Sequence, residues 1–104
     1  MLDENLEITQ DVDGDICRLK ARGRIDANSA AVLENKLDKA LKDGQNNIVL
    51  NMAMVEYLSS VGIRIILKTY KQLSETLGSF KIESPSEIVK NVLGMAALKE
   101  MLVS

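Results

Sequence analysis

Leu6 and Ile8 alternate with Glu7 and Thr9, and beyond Asp13-Gly14 a second alternating run extends from Ile16 to Ile25. A period of two sends successive side chains to opposite faces of a strand, and Asp-Gly is turn chemistry, so the pattern predicts a hairpin. In its second strand Cys17, Leu19, Ala21, Gly23 and Ile25 share one face, while Arg18, Lys20, Arg22 and Arg24 share the other. One side of the sheet is therefore expected in water, with Glu7, Thr9 and Asp11 facing the basic row across the strands. From about Ala27 to Asp43 the spacing turns helical, with Ala30, Leu33, Leu37, Ala40 and Leu41 in one stripe, Asn28 or Ser29 as cap and Gly44 as stop. Ile48-Val49-Leu50 is a short unbroken apolar run, the mark of a strand flanked on both sides.

After a connector ending at Leu58, a second helix is predicted from about Ser60 to Leu77. Ile63, Ile66, Leu67, Tyr70, Leu73 and Leu77 would form its buried face, with Gly78 as its stop. Phe80 and Ile82 alternate with Lys81 and Glu83 in a last strand. Ser84-Pro85-Ser86-Glu87 then reads as a capping box with Pro at the first helical position, opening a helix that pauses at Gly94 and resumes to Val103. Strands alternating with helices of this length imply parallel pairing through right-handed crossovers. The order ββαβαβαα predicts an α/β fold: a small four-stranded mixed sheet, helices mainly on one face, the first strand antiparallel at an edge. No repeat, linker or low-complexity tract divides residues 1–104, which read as one domain.

Composition narrows the chemistry. The 104 residues include no His, one Cys and no Trp, with 13 Lys plus Arg against 15 Asp plus Glu for a net charge of -2. Without imidazole there is no Ser-His-Asp or Cys-His nucleophile and no His-ligated zinc, so neither a catalytic triad nor a metal site is expected. Cys17 has no partner within the chain, which fits a reducing compartment, and the cytoplasm is the expected location. The N-terminal Met1-Leu2-Asp3-Glu4-Asn5 lacks an apolar run, so neither a signal peptide nor membrane insertion is expected. A slightly acidic chain with two Tyr and one Phe does not offer the basic, ring-bearing surface that nucleic acid demands. A protein partner remains.

The segment Asn51 to Arg64 joins the most buried strand to the second helix, at the sheet end where α/β proteins usually meet ligands and partners. Ser59 and Ser60 stand where that helix begins. Their hydroxyls can cap free amides, and those amides with the helix dipole favour an anion, although a Ser pair at a helix start is most often simply a cap. Gly62 costs up to about 1 kcal/mol relative to Ala in a helix, so it signals close backbone approach, either for function or for a tight helix-to-sheet contact.

Together these residues resemble the STAS domain family, the SpoIIAA-like anti-sigma factor antagonists of bacterial partner-switching systems. Gly23-Arg24-Ile25-Asp26 occupies the place of the family's Gly-Glu-Leu-Asp before the first helix. Asn51 to Arg64 is similar to the family segment Asp-Leu-Ser-x-Val-x-Phe-Met-Asp-Ser-Ser-Gly-Leu-Gly, with Val55, Tyr57, Ser60 and Ile63 in register and Gly62 matching the first motif Gly. The closing strand, the Ser-Pro helix start and a Gly before a short final helix match over Ser84 to Ser104, so the likeness spans essentially the whole chain. It implies that Ser60 is the phosphorylated residue, with Ser59 the second choice. The implied partner-binding residues are Asp26, Ser29, Ser59, Ser60, Gly62 and Arg64. Ser59 stands where the motif has Asp, Asn51 where it has an earlier Asp, and Val61 where it has a second Ser.

The resemblance implies an anti-sigma factor or serine protein kinase as partner, a serine phosphatase as an optional second one, and no cofactor. The unmodified protein would capture the kinase, free a sigma factor, and be released once Ser60 is phosphorylated. The alternative is a STAS-type accessory or scaffold subunit, such as the small cytoplasmic component of an ABC lipid transporter, that binds constitutively and is not phosphorylated. An enzyme using Ser60 with a Lys base is not expected, because Lys68 lies two turns along the helix and Lys81 on another strand. Nucleotide binding has little support, since no Gly-rich phosphate loop is present.

Overall fold

The computed structural model describes residues 5–95, 102 and 103. The elements are β1 (Leu6–Asp13), β2 (Ile16–Ile25), α1 (Ala30–Lys42), β3 (Asn47–Leu58), α2 (Ser60–Glu75), β4 (Ser79–Glu83), α3 (Glu87–Met95) and β5 (Leu102–Val103). Strand order in the sheet follows chain order, β1-β2-β3-β4-β5, with β1 antiparallel to β2 and every later pair parallel. This is the expected mixed α/β sheet with its antiparallel edge, extended at the far edge by the short β5.

The alternation in β2 behaves as its pattern requires. Cys17, Leu19, Ala21 and Ile25 are fully buried, and Lys20, Arg22 and Arg24 are exposed. Glu7 lies opposite Arg22 and its carboxylate is 3.7 Å from the guanidinium, so the basic row is partly answered by β1. The buried side of the sheet carries α1 through Ala30, Leu33, Leu37 and Ala40, and α2 through Gly62, Ile65, Ile66, Thr69 and Leu73.

Several boundaries depart from the pattern. The first helix begins at Ala30 rather than Ala27, because Asp26 holds the lead-in turn: its carboxylate accepts from the backbone N–H groups of Asn28 (3.0 Å) and Ser29 (2.9 Å). Ser29 sits at the cap position without a side-chain capping bond. Gly44, with φ 86°, stops the helix as expected. The connector expected after Leu50 is strand as far as Leu58, still paired to β2 through Ile25, with register shifts between Gly23 and Arg24 and, earlier, between Lys20 and Arg22. That irregularity leaves Ala53 and Met54 both exposed and dephases the apolar alternation.

The α2 buried face is turned from the expected one. Leu67 is 39 % exposed, and Leu77, 97 % exposed, lies beyond the helix end at Glu75. The left-handed residue after α2 is Leu77 (φ 63°) rather than Gly78. Gly78 is instead required by proximity, since a Cβ there would collide with the Asn46 carbonyl oxygen.

The third helix starts at Glu87, two residues after Pro85, and its cap is Ser86: the hydroxyl accepts from Val89 N–H (3.3 Å) and donates to the Val55 carbonyl (2.7 Å). Ser84, the expected cap, lies outside the helix at φ 50°. The helix runs through Gly94 without pausing, and Leu102–Val103 is strand where a resumed helix was expected. The expected final helix otherwise falls on residues 96–101, outside the described residues.

Candidate functional site at the start of the second helix

Parallel pairing brings the carboxyl ends of β2 and β3 side by side. Ser59 N–H donates to the Ile25 carbonyl at 2.8 Å, so the loop that begins at Asp26 and the helix that begins at Ser60 leave the sheet together. Ser59 is the helix cap: its backbone is extended (φ -84°, ψ 169°), its hydroxyl accepts from Gly62 N–H at 3.3 Å, and its carbonyl accepts from Ile63 N–H at 3.0 Å. Capping leaves it half-buried and engaged.

Ser60 is the first residue of α2 and exposed, and its hydroxyl bonds to no atom of the described residues. The first turn of α2 holds no acidic residue. Free amides and the positive end of the helix dipole therefore face solvent around Ser60 without a competing carboxylate in that turn. Arg64, one turn on, is also exposed.

Gly62 is buried against the sheet. A Cβ built there would lie 2.7 Å from both Ile25 Cγ2 and Leu58 Cδ1, so the glycine serves a tight helix-to-sheet contact. It does not approach the surface.

On the neighbouring loop, Asp26 is partly exposed and organised from beneath. The buried Ser29 hydroxyl accepts from Asp26 N–H (3.0 Å) and has one proton to donate, with the Arg24 carbonyl at 2.6 Å the nearer acceptor and the Asp26 carboxylate at 3.1 Å the farther. The Ser29 backbone N–H above all, then the Ser29 hydroxyl, the Asn28 N–H and Arg24, hold the Asp26 carboxyl below its ordinary value against the opposing effect of burial. Arg24 Nε lies 3.9 Å from Asp26 Oδ2, and its guanidinium stacks 4.6 Å above the Tyr57 ring.

Ser59, Ser60 and Gly62 thus share one helix start, with Asp26 and Ser29 on the adjoining loop and Arg64 one turn along. Ser29 and Gly62 lie below the surface. Arg24, Met54 and Tyr57 add exposed surface at the same sheet end, Arg24 as part of the expected basic row and Met54 and Tyr57 as a contribution the alternation does not single out. Its one signal is the break in alternation after Met52, which turns two successive residues outward twice, at Ala53-Met54 and at Glu56-Tyr57.

Among the described residues the far edge of this part of β3 has no strand neighbour, since pairing with β4 ends at Asn51–Glu83. Ser86 covers it, with its N–H on the Met52 carbonyl (3.3 Å) and its hydroxyl on that of Val55. Asn51 itself donates to Glu83 Oε2 (3.0 Å) and accepts from Ala53 N–H (3.1 Å), and Glu83 Oε1 receives Arg18 at 3.3 Å. Among the described residues no helix is long and apolar enough to cross a membrane.

The family model of the STAS domain matches residues 7–103. The anti-sigma-B factor antagonist of Bacillus subtilis (strain 168) is 29 % identical over 98 residues, covering 94 % of this chain and 87 % of that protein. Among solved structures, the anti-sigma factor antagonist SpoIIAA in its unphosphorylated form superposes with a TM-score of 0.82 at 17 % identity, over 93 % of this chain and 86 % of that one. The Bacillus cell fate determinant SpoIIAA in its phosphorylated form gives 0.76 at 17 % identity, over 93 % and 89 %. At such identity the two structures speak for the fold.

Proposed function

The chain belongs to the STAS domain family, and on that premise we propose that it is an anti-sigma factor antagonist working in the cytoplasm by partner switching. The unmodified protein binds an anti-sigma factor that is also a serine kinase. Phosphorylation of Ser60 ends the capture. The observation that carries this reading is the exposed, unbonded Ser60 hydroxyl at a helix start whose first turn holds no carboxylate. Ser59 is the weaker acceptor, because its oxygen is already committed to Gly62 N–H and it is half-buried. Asp26, Ser59, Ser60 and Arg64 present the docking surface, while Ser29 and Gly62 hold it in shape.

In the transfer step the Ser60 oxygen attacks the terminal phosphorus of a nucleoside triphosphate held by the kinase. The bond to the diphosphate leaving group breaks and the hydroxyl proton passes to the kinase. A serine phosphatase would return the hydroxyl by hydrolysis. The phosphate adds about -1.5 to -2 charges at a helix N-terminus that accommodates them, so the fold persists. Docking does not, since desolvating that dianion against a partner costs several kcal/mol. About 3 kcal/mol corresponds to a loss on the order of 100-fold in affinity.

The test pairs Ser60→Asp and Ser60→Ala with the anti-sigma kinase from the same genome. Capture falls for Ser60→Asp, by less than the roughly 100-fold of the dianionic phosphate because Asp carries a single charge, and persists for Ser60→Ala, and mass spectrometry after incubation with ATP places one phosphate on Ser60. A folded Ser60→Asp variant that binds as tightly as wild type sinks the proposal. The neutral Ser59 in the place of the motif Asp favours a second reading, a constitutively bound accessory subunit. That reading requires a binding partner but no phosphate under any kinase of the same genome.

A further inference from the structure

Down the outer side of α2 the helical spacing sets Ser60, Arg64, Leu67, Lys68 and Lys71 in one row. Lys68 is already paired, its ammonium 2.8 Å from Oε2 of Glu34 on α1. Arg64 is exposed and makes no hydrogen bond, ion pair or ring contact among the described residues. Its neighbours on the helix, three and four positions away, are Ser60, Val61, Leu67 and Lys68, and none carries a carboxylate. Arg64 also stands where the family segment closes with Gly, so this cation belongs to the chain and not to the motif.

Long side chains on a helix lean toward its N-terminus, which is the direction of Ser60 from Arg64. Residues four apart have Cβ atoms about 5–6 Å from one another, within the span of a phosphoserine and an arginine. The like charge of Lys68 on the other side adds to the bias. The other charged groups at this end of the sheet are Arg24, Asp26 and Glu56. Arg24 is engaged by Asp26 at 3.9 Å and by the Tyr57 ring at 4.6 Å, and Glu56 is exposed with no ion pair among the described residues. A new anion on Ser60 therefore meets Arg64 as the uncommitted cation of its own helix.

Resting on the reading that Ser60 is the phosphate acceptor, we propose that Arg64 is the phosphate's ligand within the chain: once Ser60 is phosphorylated, the Arg64 guanidinium closes on it across one helical turn. The planar fork of Arg matches two phosphate oxygens, and charge-assisted hydrogen bonds of this kind are about twice as strong as neutral ones. Phosphorylation then alters the docking surface twice. It adds negative charge, and it takes Arg64, a cation of that surface, out of a partner's reach.

The pair is read on the full chain with phosphoserine installed at position 60 during synthesis, so that the result does not depend on any kinase. Arg64 favours the dianion and lowers the second pKa of the phosphate. In phosphorus NMR titrations at about 0.15 M salt, Arg64→Ala raises that pKa by about 0.5 relative to the unsubstituted phosphoprotein. Lys71→Ala removes the same charge from the same row and leaves the pKa unchanged, because Lys71 lies about 16 Å along the helix from Ser60 and the screening length is about 8 Å. The Arg64 Nε–H resonance moves between the serine and phosphoserine forms and titrates with the phosphate. Circular dichroism confirms the fold of each variant. An unchanged pKa in Arg64→Ala, equal shifts in Arg64→Ala and Lys71→Ala, or an Nε–H resonance indifferent to the phosphate overturns the proposal. These results are independent of whether a kinase acts on Ser60, which mass spectrometry of the wild-type chain decides.

Discussion

Gly62→Ala tests the contact on which the whole site rests. The change improves helix propensity by up to about 1 kcal/mol. Against this, the new methyl would lie 2.7 Å from Ile25 Cγ2 and from Leu58 Cδ1, where ordinary carbon contacts begin near 3.5 Å. Ile25 is fully buried and Leu58 only 3 % exposed, so neither has open space to retreat into. Overpacking of this kind costs about 1–3 kcal/mol, and the net expectation is a loss of about 1–2 kcal/mol. The start of α2 relieves part of the overlap by lifting from the sheet, which loosens the Ser59 N–H bond to Ile25 and moves Ser60.

Urea unfolding gives the stability, and the cycle with Leu58→Ala assigns its cause. Leu58→Ala alone opens a cavity and costs about 2–5 kcal/mol. In the Gly62→Ala background it costs at least about 1 kcal/mol less, because the methyl takes up part of the vacated space. A Gly62→Ala protein as stable as wild type, or a cycle with no coupling, refutes the packing account and reopens the alternative that Gly62 serves a partner's approach. If Ser60 is the phosphate acceptor as proposed, the same variant is phosphorylated more slowly than wild type, a rate read with the kinase in excess.

Leu77 adopts φ 63° while 97 % exposed, so Leu77→Gly removes left-handed strain at no packing cost and raises stability by about 1 kcal/mol in urea unfolding; a loss would show that Leu77 is not strained. Asn51→Asp replaces the donor on Glu83 with a like charge and costs about 1–3 kcal/mol at neutral pH, and Glu83→Gln in the same chain restores most of it; an unchanged unfolding midpoint for Asn51→Asp refutes the pairing. Asp26 has a depressed carboxyl pKa, so its contribution is complete above the unfolded value of about 3.9 and is lost as pH falls through the folded value below it. Wild type therefore loses more stability than Asp26→Asn as pH drops from about 4, and parallel pH profiles for the two would contradict this.

The strands and helices that alternate or repeat cleanly were legible from side-chain pattern alone: β1, β2, the α1 stripe from Ala30 to Ala40 and the stop at Gly44. What escaped the pattern was decided by contacts distant in sequence. The far half of β3 does not alternate, because the register shift against β2 turns Ala53 and Met54 out together. The α2 face misleads because Gly62 and Thr69, which count as non-apolar, are buried, while Leu67 and Leu77, which count as core, are not. Either serine around Pro85 satisfies a capping rule. Ser86 wins because its hydroxyl also reaches the Val55 carbonyl, 31 positions away. The site was legible as a helix start with two serines, but which serine is free depends on the cap geometry that engages Ser59.

The two positions where the chain lacks the motif carboxylates differ in meaning. At Asn51 a carboxylate is already at hand: the Asn51 amide donates to Glu83 on the next strand, and an Asp at 51 would repel it. That substitution is answered within the sheet, and it changes the fold's wiring without altering the charge near Ser60. At Ser59 nothing replaces the missing charge, since the cap is a neutral hydroxyl and the first turn of α2 has no acidic residue. On the adjoining loop the Asp26 carboxylate is already held by hydrogen bonds from Ser29 and Asn28 and by Arg24. A phosphate on Ser60 would therefore enter a positive helix end with no carboxylate in its own turn, and the electrostatic contrast between the free and phosphorylated surface is larger than with Asp at the cap. Ser59→Asp should shrink that contrast by weakening capture before phosphorylation, and it should do so more at low salt than at high salt.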